Sequence, residues 1–111
     1  MSKRFANLFE ECANTQGIMG CGVLLPDRAK HVRSCHRDCT EESLNKALQY
    51  LANTTVLLAN HHLTPRRLVW SFAGGTLYIA LCPDGTLFTL AAHTDADITD
   101  FFERMTAKLS A

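Results

Sequence analysis

Apolar and polar positions alternate along this chain with two different periods, and the change of period marks out its elements. Phe5, Leu8, Phe9 and Cys12 recur at i, i+3, i+4 and i+7, with Lys3, Arg4, Asn7, Glu10 and Glu11 elsewhere around the turn, which predicts an amphipathic helix over Ser2 to Thr15 closed by Gly17. Ile18 to Leu25 is almost wholly apolar, as a central strand covered on both faces would be. Gly20 and Gly22 leave room on one of those faces for a closely packed helix. Pro26-Asp27-Arg28 turns the chain into a short, charged edge strand over Lys30 to His36.

Thr40 followed by Glu41 and Glu42 starts a second helix, because the hydroxyl caps free N–H groups and the acids meet the positive end of the dipole. Leu44, Leu48, Leu51, Thr55, Leu58 and His62 mark one helical stripe, so the helix is predicted to run to His62. Ala47, Tyr50, Val56, Leu57 and Ala59 widen that stripe beyond what one sheet can cover, which implies a second partner such as another copy. After Thr64-Pro65 the period becomes two: Leu68/Trp70/Phe72, Leu77/Ile79/Leu81 and Leu87 to Ala92 read as three strands. Ala73-Gly74-Gly75-Thr76 and Pro83-Asp84-Gly85-Thr86 supply the glycines that tight hairpins need. A last helix, capped by Thr94 or Asp95, places Ile98, Phe101, Phe102, Met105 and Leu109 on one face.

The predicted order is helix, two strands, helix, three strands, helix. Both faces of the strands are apolar, so the expected fold is α+β with three α/β/α layers: a central five-stranded antiparallel sheet, the long helix on one side and the terminal helices on the other. At 111 residues the chain has the length of one domain, residues 1–111.

The wording of these elements resembles the roadblock dynein light chain family over nearly the whole chain, from Phe5 to Leu109. Gly17-Ile18-Met19-Gly20 opening the first strand, the long helix from Glu41, Leu77-Tyr78-Ile79-Ala80 through Leu87-Phe88-Thr89-Leu90, and Ile98-Thr99-Asp100-Phe101-Phe102 carry the resemblance. The chain departs from the family at Pro26-Asp27-Arg28, where an Asp-Gly turn is common, and at Cys35-His36-Arg37-Asp38-Cys39, which is not a family motif. The resemblance implies a homodimer joined through the second helix and third strand, with Tyr50, Asn53, Leu57, Asn60, Leu68 and Trp70 as candidate interface residues. It further implies an adaptor or regulator of a Ras-like small GTPase, or a scaffold subunit, without catalytic apparatus of its own. The alternative is a small-molecule sensor of PAS-like architecture, which typically interrupts the region between its second and third strands with several short helices.

Basic and acidic residues number 11 each and stay balanced between the two halves of the chain, which leaves no electrostatic footprint for nucleic acid. Every apolar stretch is broken well before the ~18 residues of a membrane span, and the basic start is followed by no apolar signal core. Five cysteines, an odd number set mostly in apolar patterns, fit reduced thiols in a cytoplasmic protein. Cys35, His36 and Cys39 are metal-ligand types, yet a closed zinc site needs four ligands and the spacing supplies no fourth, so neither metal nor cofactor is expected. His61 and His62 sit where a cation favours a helix C-terminus. His93 and a cysteine could form a catalytic pair, but no orienting third group is signalled and no enzyme activity is expected. Neither glycine pair precedes a helix, so neither cradles a phosphate.

Overall fold

A computed structural model describes residues 3–110, with side chains over 5–109. The elements are α1 (Lys3–Ala13), β1 (Ile18–Leu24), β2 (Lys30–Ser34), α2 (Glu41–Asn60), β3 (Arg67–Phe72), β4 (Gly75–Leu81), β5 (Leu87–His93) and α3 (Thr99–Ser110). The strands form one antiparallel sheet in the order β2-β1-β5-β4-β3. The α+β, three-layer arrangement is as the periodicity predicts.

One layer of core lies between the sheet and the terminal helices. Phe5, Leu8, Phe9 and Cys12 of α1 and Ile98, Phe102, Met105 and Leu109 from the α3 region close on Cys21, Val23, Phe88, Leu90 and Ala92. Tyr78 and Phe88 both meet the Phe102 ring, at centroid distances of 5.6 Å. The other layer is thinner: Leu44, Leu48 and Leu51 of α2 cover Met19, Ile79, Leu87 and Ala91. Its closeness depends on glycine. A Cβ on Gly22 would stand 3.0 Å from Leu48 Cδ1 and 3.1 Å from Val32 Cγ1, and one on Gly20 would stand 2.9 Å from Leu44 Cδ1. A register shift between Ile18 and Gly20 turns Met19 to the α2 side although Ile18 and Cys21 face α1.

Several boundaries differ from the sequence reading. α2 stops at Asn60, because His61 leaves helical geometry and His62 takes φ 63°. The His62 N–H then reaches the Ala59 carbonyl at 3.0 Å and the Leu63 N–H the Leu58 carbonyl at 2.8 Å, the paired bonds of a Schellman closure with histidine where glycine is usual. The histidines therefore end the helix through their backbone. β2 likewise ends at Ser34, where the chain turns into a bridge between His36 and Cys39. α3 begins at Thr99 and not near Asp95, since the Ala96 N–H is taken by the His93 carbonyl in a turn and it is Asp97 that accepts from the Thr99 N–H at 3.3 Å. Thr40 caps α2 as expected, its hydroxyl accepting from the Ser43 N–H at 3.1 Å. The first hairpin is closed by Arg28 at φ 74°, a left-handed position that a side chain strains.

Candidate functional site

The two sheet faces are unequally covered. α2 packs over β2, β1 and the near side of β5, while β3 pairs only with β4 and ends the sheet. On the α2 side of β3 the cross-strand register aligns Leu68 with Ile79, Trp70 with Leu77, and Phe72 with Gly75. Leu68 is half-buried beneath α2, against the cluster that holds Leu48 and Leu51. Beyond it cover runs out, leaving Trp70 37% and Phe72 45% exposed.

α2 contributes to the same surface. Tyr50 is 71% and Leu57 59% exposed, about two helical turns apart and away from the buried Leu44–Leu48–Leu51 stripe, while Ser43, Leu44 and Ala47 form the flank of the helix nearest Phe72. Between that flank and the strand lies a cleft of about 260 Å³, lined chiefly by apolar groups including Leu44, Ala47, Phe72, Leu77 and Ala91. Phe72 thus joins β3 to the cleft, while Tyr50, Leu57 and Trp70 are exposed apolar side chains outside its lining. Phe72 was absent from the sequence-based candidates; its alternation with Trp70 was visible, but its exposure depends on how far α2 extends across the sheet.

Asn53 points to the other flank. It accepts from Gln49 Nε2 at 3.1 Å and lines a separate groove of about 450 Å³ with Val56, Leu24, Arg28 and Lys30. Asn60 is exposed as the last of the 20 residues of α2. Of the six candidate residues, Tyr50, Leu57 and Trp70 are exposed apolar side chains, Leu68 is half-buried against the Leu48–Leu51 cluster, and Asn53 and Asn60 are exposed polar ones.

The Cys35–Cys39 segment divides between the two layers. Cys39 packs beneath α2 with Met19 and Leu44, whereas Cys35 leans on the α1 side of the sheet. Burial raises the Cys39 thiol pKa above its usual range. His36 Nδ1 accepts from the Asp38 N–H at 3.1 Å, and its ring meets His93 edge-on at 5.0 Å. Among the described residues no group of three or more His, Cys, Asp or Glu side chains is placed to hold a metal ion.

The arginines are similarly dispersed. Arg67 on β3 makes a two-pronged pair with Glu103 of α3 at 2.8 and 2.9 Å, Arg33 reaches Glu10 at 2.9 Å, and Arg104 lies over the Phe101 ring at 5.6 Å.

No protein-family model and no curated protein matches the sequence. Solved structures do match the shape. Myxococcus xanthus MglB superposes with a TM-score of 0.72 at 10% identity, over 99% of this chain and 90% of that one. A Roadblock/LC7 domain from Streptomyces avermitilis gives 0.61 at 16% identity, over 92% and 88%. The chain has the roadblock fold. MglC from Myxococcus xanthus adds a third such match, with a TM-score of 0.55 at 19% identity over 95% and 92%. At identities this low the likeness is one of fold, with few side chains held in common. No helix of the described residues is long and apolar enough to cross a membrane.

Proposed function

We propose that this roadblock-fold chain is a homodimeric interaction module in which α2 and β3 of one copy meet those of another, and that the dimer serves as an adaptor or regulator of a Ras-like small GTPase. The observation that carries the dimer is the exposure of Trp70 and Phe72 on β3, at the end of the sheet, together with exposed Tyr50 and Leu57 on α2. Large aromatic side chains left half-exposed around a groove are the composition of an interface core, and an open strand edge offers backbone groups to a second strand. A two-fold axis passing β3 would pair the edges and cover both copies of the apolar surface together.

The GTPase reading is supported by the likeness of the fold to the three solved structures, and the dispersal of the arginines bears on how such a module would act. A finger arginine must project into another protein's site from a rigid, exposed point. Arg33, Arg67 and Arg104 are engaged within the chain. With those three so engaged, we take the module to work by contact and positioning, and Arg28, Arg37 and Arg66 are the positions at which a finger would be sought. The PAS-like alternative is less well supported, since one unbroken helix joins β2 to β3 and the space between that helix and the sheet is filled by Leu44, Leu48, Leu51 and Ile79.

Affinity capture from the source cell with GTP or GDP analogues present tests the second part: recovery of a nucleotide-dependent GTP-binding protein is expected. Light scattering tests the first, with a mass twice the 12.3 kDa chain expected at micromolar concentration. A mass near that of one chain would refute the dimer.

A further inference from the structure

Three thiols from three elements converge on the α1 side of the sheet, on the face opposite the proposed interface. Cys12 of α1 and Cys21 of β1 are wholly buried in that core layer, and Cys35, one residue beyond β2, packs against it while remaining partly exposed. Cys21 stands opposite Arg33 in the β1–β2 ladder, and the Cys35 N–H is bonded to the Met19 carbonyl at 2.9 Å. Cys21 and Cys35 are thus diagonal neighbours on one face, with each sulfur 4.0 Å from the same Arg33 carbonyl oxygen.

We propose that Cys35 is a peroxide-reactive thiol and that Cys21 is its resolving partner, so that mild oxidation joins β1 to the segment following β2 by a Cys21–Cys35 disulfide.

The surroundings of the two sulfurs divide these roles. Hydrogen bonding from Cys21 is the largest influence on Cys35; it outweighs partial burial and, with the nearby Arg33 charge, brings the thiol down to about 7. Cys21 is driven strongly the other way, by hydrogen bonding to Cys12 and Cys35 and by burial, so it stays protonated and can donate to the Cys35 thiolate. The partly exposed sulfur is therefore the ionised one, and the buried sulfur waits beside it.

In the first step the Cys35 thiolate attacks a hydroperoxide oxygen; the O–O bond breaks, the leaving oxygen takes up a proton and departs as an alcohol or water, and Cys35 becomes a sulfenic acid. In the second, the Cys21 sulfur attacks the sulfenic sulfur, the S–S bond forms as the S–O bond breaks, and the hydroxyl leaves with the Cys21 proton as water. Two thiols lose two electrons and two protons, and the peroxide is reduced by the same two electrons. Diagonal strand neighbours usually sit about an ångström too far apart for a disulfide. Cys35 lies past the last residue of β2, held there by a single backbone bond to Met19, so closing that distance requires a shift of this segment.

The test uses the full, reduced chain with dilute hydrogen peroxide at pH 7, quenched by alkylation and mapped by mass spectrometry. Cys35 is expected to react about tenfold faster than Cys39, whose thiol burial keeps protonated. The product should be a Cys21–Cys35 linked peptide pair two hydrogens lighter than its reduced parts. In Cys21→Ala the reaction should stop at a Cys35 sulfenic acid that dimedone captures, and the pH midpoint for Cys35 alkylation should move upward. Cys35→Ala should leave Cys21 unoxidised. Equal reactivity among the cysteines, or a link from Cys35 to Cys12 or Cys39 in its place, overturns the proposal, and the linked-peptide map of the unaltered chain decides this without any variant.

Discussion

Leu48 and Leu57 lie on one helix nine residues apart, and truncating each to alanine should have opposite consequences. Leu48 is fully buried against the sheet, its Cδ1 within van der Waals reach of the Gly22 backbone position. Removing it leaves a cavity that α2 cannot close, at a cost of about 2–5 kcal/mol of folding stability. Leu57 keeps 59% of its surface exposed in the single chain, so Leu57→Ala should leave the isolated fold nearly untouched. Its value lies in the proposed dimer. Burying a whole leucine is worth about 1.5–3 kcal/mol, so covering the exposed part contributes about 0.9–1.8 kcal/mol, or about 2–3.5 kcal/mol when both copies are covered. Leu57→Ala should then raise the dimer dissociation constant about 30- to 300-fold. Leu57→Asp should do more, because a carboxylate would enter an apolar interface unpaired. Sedimentation equilibrium over a dilution series measures the constant, and thermal unfolding followed by circular dichroism below it measures the fold. An unchanged dissociation constant in Leu57→Ala, or a fall in unfolding temperature matching that of Leu48→Ala, would refute the assignment of these two faces.

Four further outcomes are expected. Gly22→Val should unfold the thin core layer, since its side chain would collide with both Leu48 and Val32; a cooperative melt within a few degrees of the parent would contradict the packing described. Arg28→Gly should stabilise the chain by about 1 kcal/mol by removing a side chain from a left-handed position, seen as a rise in unfolding temperature. Arg67 hydrogen-bonds Glu103 and holds its carboxyl below the usual range, so this pair contributes above the unfolded carboxylate pKa and is lost as pH falls through the lower folded value; Glu103→Gln should flatten stability across that acid window, an effect small enough to need a differential titration because both partners are half-exposed. If a GTPase partner is captured, Arg→Ala at positions 28, 37 and 66 should weaken binding while stimulated hydrolysis at saturation stays within a few fold, whereas loss of the ~10³-fold that a finger supplies would make the chain a catalytic activator.

Much of this protein follows from neighbours in the sequence. The Thr40 cap, the two glycine hairpins and the Leu44–Leu48–Leu51 stripe are short-range devices, each specified by a few adjacent residues, and each appears where the pattern places it. Gly20 and Gly22 are legible for the same reason, because two missing side chains on an apolar strand announce a close approach before the approaching helix is known. The ends of elements were less legible. His62 and Arg28 adopt left-handed backbone at positions where sequence preference favours glycine, and only the surrounding hydrogen bonds hold them there. The order β2-β1-β5-β4-β3 was decided at longer range, by the pairing of β1 with a strand more than sixty residues later. From that order came the exposed edge of β3 and the half-covered Trp70 and Phe72. The hairpin register then separated Cys35 from its sequence neighbour Cys39, which went to the opposite face, and joined it to Cys21 and Cys12. Periodicity reports which side chains share a face; it carries no information about which faces meet, and for this chain the exposure of β3 and the thiol cluster both depend on that second fact.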